Sequence, residues 1–363
     1  MIGKAKFRPN KAETVGIADI AVHLPGKMET SAQLAAKAGL SKRVLEKKYG
    51  ILTKRVADAN EHASDLAARA AEIIIHKTAP LDVDVLIYCG SPYKDYQVWP
   101  CAAKIQHELG LKNAFAFEIT NMSAGFSTAL KVARDMMLAD PELTTILLVG
   151  GCRESAIIDP ANPRTRFMLN FADCGAAILL QKGCRENVVL DSFFYTDGSY
   201  SHHVKVPAGG SVLPASRQTV DGKKHLVEVF EPEVMKERLN RSSGDNFLMV
   251  IREALARSGF TGIKPDFLAL LHMKPSVFQH ILSELGITEE QSFYLSDFGH
   301  MSSLDIVVAL HQGIMRGQIR PGHLVVAASA GTGYTWGATV IKWLGGKQDR
   351  GAPRVNLHQH ERS

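Results

Sequence analysis

One serine and two histidines stand where a side chain can take part in chemistry. Ser123 lies between an apolar stretch of strand length and a stretch of helical pattern, near the positive end of a helix dipole, which stabilises a developing oxyanion. A serine hydroxyl becomes a nucleophile only when a neighbouring base takes its proton. His272 ends the apolar stretch 266–273, and His300 follows a glycine in a second turn. Imidazole is the natural general base near neutral pH, so the three residues together predict nucleophilic acyl transfer.

Each of these residues also has a purely structural explanation. Serine before a helix is the commonest kind of N-cap, and a histidine at the end of a buried strand is more often a hydrogen-bonded core residue. Asp305, one turn into the helix after His300, either orients an imidazole or is simply an acid near a helix start. His202 and His203, in a stretch rich in Gly, Ser and Pro, could serve as ligands, but we expect them at the surface. Only the conjunction favours a catalytic site.

The segments that must position these residues alternate between strand and helix patterns. Such alternation predicts an α/β fold with a largely parallel central sheet. Strands are predicted at 15–26, 82–91, 114–120, 144–151, 174–183 and 266–273, and helices at 31–49, 62–78, 101–109, 123–138 and 275–285.

The second half of the chain repeats the plan of the first. The segment 293–315 mirrors 115–137 as strand, turn and helix, and the alignment places the turn 121–123 opposite the turn 300–302. Two turns would then face one shared centre. We therefore expect a first half, residues 1–183, with Ser123, a second half, residues 184–345, with the two histidines, and a polar tail, residues 346–363.

Composition excludes several classes of function. The net charge is only +5, and no basic run is interleaved with aromatic residues, which argues against nucleic acid; the mild positive balance favours an anionic partner. No apolar run approaches the ~18 residues of a membrane span, and the basic N-terminus lacks the apolar region of a secretory signal, so we expect a cytoplasmic protein. The five cysteines form no CxxC pair and no metal-ligand spacing, which is typical of reduced, buried thiols.

Seven segments of the chain follow one another in a specific order. They are YGILTKR (49–55), VWPCAAKIQHELG (98–110), EITNMSAGFSTAL (118–130), FADCGAAILL (171–180), LLHMKPSVFQHILSELGI (270–287), DFGHMSSLDIVVAL (297–310) and ASAGTGYTWGATVIKW (328–343). In this order they resemble the sequence blocks of the β-ketoacyl-ACP synthase III family of the thiolase superfamily, over nearly the whole chain. The resemblance implies an α/β thiolase-like fold, with duplicated βαβαβ halves in a layered α-β-α-β-α arrangement.

The resemblance also implies roles for the three residues. Ser123 takes the place of the family's nucleophilic cysteine, His272 that of its catalytic histidine, and His300 that of an asparagine. The family moves an acyl group from coenzyme A or an acyl carrier protein to the nucleophile, and the enolate of a decarboxylating malonyl thioester then attacks it. Because a hydroxyl needs a base more than a thiol does, we expect a Ser–His–His arrangement in which one imidazole deprotonates Ser123. No permanently bound cofactor and no metal is implied.

Basic residues are expected to bind the donor. Lys48, Arg164 and Arg166 are placed to meet the phosphates of coenzyme A, and Lys274 to face the acidic helix of a carrier protein. The adenine-stacking tryptophan of the family falls at Val44 in this sequence. By analogy with the family, a homodimer is expected.

The expected function is acyl transfer in a lipid or polyketide-type biosynthesis. The acyl group would pass from coenzyme A or carrier protein through acyl-Ser123 to a malonyl thioester, giving a 3-oxoacyl product, or to another acceptor. Alternatives are a non-catalytic partner subunit of a condensing-enzyme heterodimer, an ester-forming acyltransferase, and a thioesterase in which water intercepts the acyl-serine.

Overall fold

The computed structural model describes residues 14–345, and the polar tail predicted at 346–363 lies outside the described residues. The strands are β1 Val15–His23, β2 Lys27–Thr30, β3 Thr53–Val56, β4 Val85–Tyr88, β5 Phe115–Glu118, β6 Thr145–Arg153, β7 Asp173–Lys182, β8 Asn187–Thr196, β9 Val204–Lys205, β10 Glu228–Val229, β11 Phe267–Leu270, β12 Leu324–Gly331 and β13 Thr335–Trp343. The α-helices are α1 Ser31–Ala38, α2 Lys42–Val44, α3 Ala63–Thr78, α4 Cys101–Glu108, α5 Gly125–Ala139, α6 Arg217–Asp221, α7 Pro232–Arg257, α8 Pro275–Leu285 and α9 Asp305–Met315.

Nine strands form one mixed sheet in the order β11-β12-β13-β8-β1-β7-β6-β4-β5. The prediction of a largely parallel sheet is wrong, because five of its eight strand pairs are antiparallel. In each of the three parallel pairs, helices form the crossover that parallel strands require. By contrast, β12 and β13 are joined by the short loop 332–334, which allows only an antiparallel pair.

The sheet order is nearly symmetric about the β1–β8 contact. On one side of it lie β7, β6, β4 and β5, and on the other lie β13, β12 and β11. The strand expected at the start of the segment 293–315 is reduced to an isolated bridge between Leu268 and Ser292, so β5 has no full counterpart. The division of the chain at residues 183 and 184 stays a prediction.

Helices lie in three layers separated by the two parts of the sheet. α3 and α4 cover one outer face and α7 and α8 the other, while α5 and α9 lie between β1, β6 and β7 on one side and β8, β12 and β13 on the other. This is the α-β-α-β-α arrangement that the family resemblance implies. The sequence pattern predicts no helix where the 26-residue α7 lies, because its first half is charged and largely exposed and shows little apolar periodicity.

The central helices bring two turns together at their N-termini. A Cβ atom on Gly125, the first residue of α5, would lie 2.8 Å from the carbonyl oxygen of Cys89 and 3.3 Å from the Cβ of Ser303. The Ser303 hydroxyl in turn donates to that same Cys89 carbonyl at 2.7 Å. Only a residue without a side chain allows this approach, so Gly125 fixes the separation of the turns that carry Ser123 and His300.

Within residues 14–345, no helix combines the length and the hydropathy that crossing a bilayer demands. The same part of the chain contains no group of three His, Cys, Asp or Glu side chains that could hold a metal ion.

Candidate active site

Ser123 lies in a strained turn between β5 and α5. The turn is a short 3₁₀-helix, Met122–Ala124, and the residue before the serine, Met122, has a φ of +44°. Such left-handed backbone is unfavourable for a side chain larger than glycine and recurs where a nucleophile is held in a fixed direction. The serine is 8% exposed and makes no capping hydrogen bond to α5, so its hydroxyl is not used as an N-cap.

The Ser123 hydroxyl instead meets an imidazole from the other half of the chain. Its Oγ lies 3.0 Å from Nε2 of His300, and Nδ1 of the same ring lies 2.6 Å from Oδ2 of Asp305. The carboxylate therefore accepts the Nδ1 proton and leaves Nε2 free to accept the serine proton. These three side chains form a serine–histidine–aspartate triad.

The charge state of His300 is set by two opposing effects. Burial lowers its pKa, but the Asp305 carboxylate beside it raises the pKa more, and Glu154 adds to this, so the net shift is upward. Asp305 is fully buried, and its Oδ1 also accepts the backbone N–H of Met301 at 2.6 Å. A carboxylate held by these donors orients the imidazole and stabilises the imidazolium that forms during proton transfer.

His272 lies nearby but is occupied elsewhere. Its Nε2 donates to the carbonyl oxygen of Gly50 at 3.1 Å, and its Nδ1 accepts from the side-chain amide of Asn170 at 2.8 Å. Burial lowers the pKa of His272 to about 4, so the ring is neutral near pH 7. The structure thus pairs His300, and not His272, with Ser123, which differs from the expected Ser–His–His arrangement because aspartate takes the place of the second imidazole.

A buried lysine fastens the loop that contacts both histidines. Lys54 Nζ donates to the carbonyl oxygens of Leu169 and Phe171, at 3.0 and 2.8 Å. Between them, the backbone carbonyl of Asn170 accepts the N–H of His300 at 2.7 Å. Sequence reasoning missed both Lys54 and Asn170, since neither stands at a strand-to-helix turn.

The triad opens onto a large cavity. Its volume is about 920 Å³, and it is lined by Ser123, His300, Tyr93, Phe167 and Val206 among others. No cysteine in residues 14–345 lines this cavity, and the five cysteines there are free, four of them buried and Cys184 partly so. Among the described residues, Ser123 is therefore the cavity's best-activated nucleophile.

The expected donor-binding residues divide into two groups. Lys274 lines the cavity and is half-buried; burial, Lys48 and Lys236 together lower its pKa, which marks a cluster of positive charge. Arg166 lies close enough to Tyr49, at the cavity wall, to influence that side chain electrostatically. Arg164 points elsewhere and pairs with Glu228 at 2.5 Å.

The internal repeat is offset by one residue from the sequence alignment. The 3₁₀ turn before α5 is Met122–Ala124, and the turn before α9 is Ser302–Leu304. Each begins with a residue of positive φ, +44° and +55°. Ser303, and not Ser302, therefore occupies the position that corresponds to Ser123.

Two protein-family models match the parts of the chain that carry this site. The family model "3-Oxoacyl-[acyl-carrier-protein (ACP)] synthase III" matches residues 117–198, which contain Ser123. The model of the C-terminal part of the same synthase matches residues 255–343, which contain His272, His300 and Asp305.

Curated relatives and solved structures agree with these matches. The chain is 29% identical over 336 residues to a β-ketoacyl-[acyl-carrier-protein] synthase III of Symbiobacterium thermophilum, which covers 92% of this chain and 99% of the relative. It is 28% identical over 322 residues to the Syntrophomonas wolfei protein of that name, with 88% and 95% covered. The crystal structure of 3-oxoacyl-(acyl carrier protein) synthase III, FabH, from Pseudomonas aeruginosa superimposes with a TM-score of 0.80 at 22% identity, covering 91% and 98%.

Proposed function

Because the chain is a β-ketoacyl-ACP synthase III-like protein of the thiolase superfamily, we propose that it is an acyltransferase that works through an acyl ester on Ser123. The observation that carries the proposal is the hydrogen-bonded triad Ser123–His300–Asp305, whose serine and histidine line the cavity. The triad supplies the base that a serine nucleophile requires.

In the first half-reaction, Ser123 Oγ attacks the carbonyl carbon of a thioester while His300 Nε2 takes its proton. The C–S bond then breaks, and the thiolate leaves with the proton from His300. Asp305 holds the Nδ1 proton throughout and stabilises the imidazolium. The positive end of the 3₁₀ turn and α5 lies beside the oxyanion that develops on the carbonyl.

In the second half-reaction, an acceptor with an O–H or N–H group attacks the acyl-Ser123 ester. His300 takes the acceptor's proton and returns it to Oγ as the C–O bond of the ester breaks. This step reuses the same three side chains in reverse order. The geometry favours transfer to such an acceptor, giving an ester or an amide.

Condensation with a malonyl thioester is the second candidate, because the curated relatives carry the name of a condensing enzyme. An enolate needs hydrogen-bond donors at the thioester oxygen. Here, both nitrogens of His272 are already used by Gly50 and Asn170, and those of His300 by Ser123 and Asp305. Transfer therefore ranks above condensation.

The donor is expected to be an acyl thioester of coenzyme A or of acyl carrier protein. Lys274 at the cavity wall, together with Lys48 and Lys236, which act on it electrostatically, suits a phosphate or an acidic helix, since both are anionic. Arg166 is a further candidate, whereas Arg164 is engaged by Glu228. No permanently bound cofactor enters this scheme.

A homodimer is the assembly we propose. β5 is the last strand of the nine-stranded sheet, and Phe115 at its start is 63% exposed. An edge strand that exposes an aromatic side chain is a site for pairing with another chain. Light scattering coupled to size-exclusion chromatography tests the dimer, and Phe115→Lys is expected to shift it toward monomer.

Intact-protein mass spectrometry tests the acyl-serine. Wild-type protein, Ser123→Ala and Ser303→Ala are incubated with acyl-coenzyme A and acyl-carrier donors of different chain lengths. Ser303→Ala is the matched control, since it alters the corresponding position of the internal repeat. We expect an added acyl mass in wild type and Ser303→Ala and none in Ser123→Ala.

The other outcomes separate the alternatives. Absence of both an adduct and turnover with every donor would exclude the acyl-Ser123 mechanism and favour a non-catalytic partner subunit. An acyl-enzyme that is hydrolysed in buffer without any acceptor, on the time scale of one turnover, would indicate a thioesterase.

A further inference from the structure

A second carboxyl group lines the cavity beside the triad. Glu154 follows β6, at the carboxyl end of a strand, and is 7% exposed. Its Oε1 accepts the Ser91 hydroxyl at 2.7 Å, and Ser302 also donates to its carboxyl group. The carboxyl interacts electrostatically with His300, and both side chains line the cavity together with Ser123. The acyl-transfer steps described above make no use of it.

Among residues 14–345, no lysine or arginine forms a salt bridge with Glu154, and His300 is the base that acts on its carboxyl group electrostatically. Two other charged groups at the cavity wall do have partners: Asp95 accepts from the hydroxyl and the backbone N–H of Ser64, and Lys94 pairs with Glu118. A buried carboxyl group with only hydroxyl partners is costly to ionise, and a cation beside it relieves that cost. The cavity therefore offers a position where a positively charged ligand is favoured.

Lys274 and Glu154 line the same cavity but interact with different groups. The groups that act on Lys274 are Lys48 and Lys236, and no acid is among the groups that shift its pKa. The groups that act on Glu154 include His300 and Asp173. The cavity thus has a cationic region, suited to an anionic donor, and an acidic region at the triad, suited to a different molecule.

We propose that the acceptor is a primary amine, and that the Glu154 carboxylate binds its nitrogen before that nitrogen attacks acyl-Ser123. The proposal rests on the acyl-Ser123 mechanism above and names the acceptor class. It also agrees with our preference for acyl transfer over condensation. A malonyl carboxylate would be repelled by the two carboxyl groups that act on His300, Glu154 and Asp305.

Two protons leave the nitrogen when the amine attacks acyl-Ser123, and each has an acceptor. The amine arrives as an ammonium ion and gives one proton to the Glu154 carboxylate. The neutral nitrogen then forms the C–N bond, and the C–Oγ bond of the ester breaks. A second nitrogen proton passes through His300 Nε2 to Ser123 Oγ, and Glu154 later releases its proton to solvent. Burial raises the pKa of Glu154, which brings its proton affinity nearer to that of an amine.

The test compares acceptors that differ only in the attacking atom. Protein loaded with an acyl group from the donor panel is mixed with hexylamine or hexanol, and with benzylamine or benzyl alcohol. Loss of the acyl mass and formation of the amide or ester are followed by mass spectrometry, and each rate is normalised to the amount of acyl-enzyme. We expect wild type to discharge to each amine at least tenfold faster than to the matching alcohol.

Two variants assign this preference to one residue. Glu154→Gln keeps the size of the side chain and an oxygen that can accept from Ser91, and it is expected to reduce the amine-to-alcohol ratio at least tenfold. Asp95→Asn alters a cavity-lining acid that Ser64 already satisfies, and it is expected to keep the wild-type ratio.

The outcomes distinguish this inference from the proposed function. A loaded wild-type enzyme that discharges equally to amine and alcohol overturns the amine assignment and leaves acyl-Ser123 standing. The same holds if Glu154→Gln keeps the wild-type ratio. Failure of wild type to load at all overturns both. The wild-type ratio needs no variant, so it tests the amine acceptor even if Glu154→Gln does not fold.

Discussion

The Oδ2 atom of Asp305 lies 2.7 Å from the backbone nitrogen of His272. The same oxygen accepts Nδ1–H of His300 at 2.6 Å, so one buried carboxylate joins the end of β11 to the turn before α9. Its removal therefore disturbs both the base and the strand end next to it. The two contacts explain why a single acid, five residues after His300, organises this side of the cavity.

Asp305→Asn should slow acylation and move its pH dependence. The neutral form of His300 is the base, and Asp305 raises its pKa, so wild-type acylation increases as pH rises through a value above 6.5. Without the carboxylate, burial lowers the pKa of His300. The rising limb of the acylation rate against pH then shifts to more acid pH. The rate at the plateau is expected to fall by roughly 10²- to 10⁴-fold, since the imidazole loses its orientation. Rapid-quench mass spectrometry between about pH 5 and 9 measures both quantities. An unmoved limb would contradict the role of His300 as base.

His272→Asn should flatten the pH dependence of stability without moving the acylation limb. His272 has a pKa of about 4 when folded and about 6.5 when unfolded, so the unfolded chain binds the proton first as pH falls. The free energy of unfolding therefore decreases between about pH 6.5 and 4, by at most about 3 kcal/mol. His300, with its raised pKa, acts in the opposite direction and is present in both proteins. Urea unfolding at several pH values gives the difference; identical slopes would refute the prediction.

Lys54→Met should lower both stability and the acylation rate. The loop carbonyls of Leu169 and Phe171 lose a charged donor, which lowers the free energy of unfolding by about 1–3 kcal/mol. His300, whose N–H donates to Asn170, is then held less firmly. Lys37→Met is the matched control, because Lys37 also contacts Glu29 but is exposed, and it should change the free energy of unfolding by less than about 0.5 kcal/mol. Equal effects of the two variants would show that Lys54 does not fasten the loop.

Gly331→Ala should abolish acylation and leave most of the fold intact. A Cβ atom there would lie 2.5 Å from the carbonyl oxygen of Asn121 and 3.1 Å from the backbone nitrogen of Ala124, on both sides of Ser123. The turn must shift, and a displacement of about 1 Å can cost 10²-fold in rate. Gly198→Ala, where nothing lies within 4 Å, is the control. Circular dichroism checks the fold, and wild-type acylation of Gly331→Ala would contradict the prediction.

Iodoacetamide should leave wild-type acylation unchanged. Burial raises the pKa of the Cys89, Cys101, Cys152 and Cys174 thiols, and the partly exposed Cys184 is shifted in the same direction, so none is a ready thiolate. Ser123→Cys places a thiol beside His300, and this variant should be alkylated and inactivated. Inactivation of wild type at the same rate would show that a cysteine takes part in the reaction.

The sequence predicts the location of the site better than its internal pairing. Strand-to-helix turns identify Ser123 and His300, and the helix start after the second turn identifies Asp305 as a possible partner. The choice between His272 and His300 depends on the rotamer of each ring and on a contact to Gly50, 222 residues away in the chain. No local pattern contains that information.

Other differences have equally specific causes. Helix–strand alternation predicts parallel strands, but β1, β7, β8 and β13 pair as antiparallel neighbours. These antiparallel pairings link segments that are mostly distant in sequence, so no local pattern reveals them. Glu154 was missed although it directly follows a buried strand, where polar residues of α/β proteins often serve a ligand. Attention to acids at strand ends, as well as histidines, would have found it.

The complete burial of Asp305 also constrains the order in which such a site can arise. An aspartate at this position without an imidazole beside it would be a buried carboxylate held only by two backbone N–H groups, and an uncompensated buried charge typically destabilises a protein by about 3–5 kcal/mol. A histidine at position 300 without the aspartate would remain a neutral polar side chain. An ancestral chain that changed one residue at a time would therefore stay folded most readily if it acquired the histidine first, and reconstructed intermediates of the two kinds should differ in melting temperature in that order.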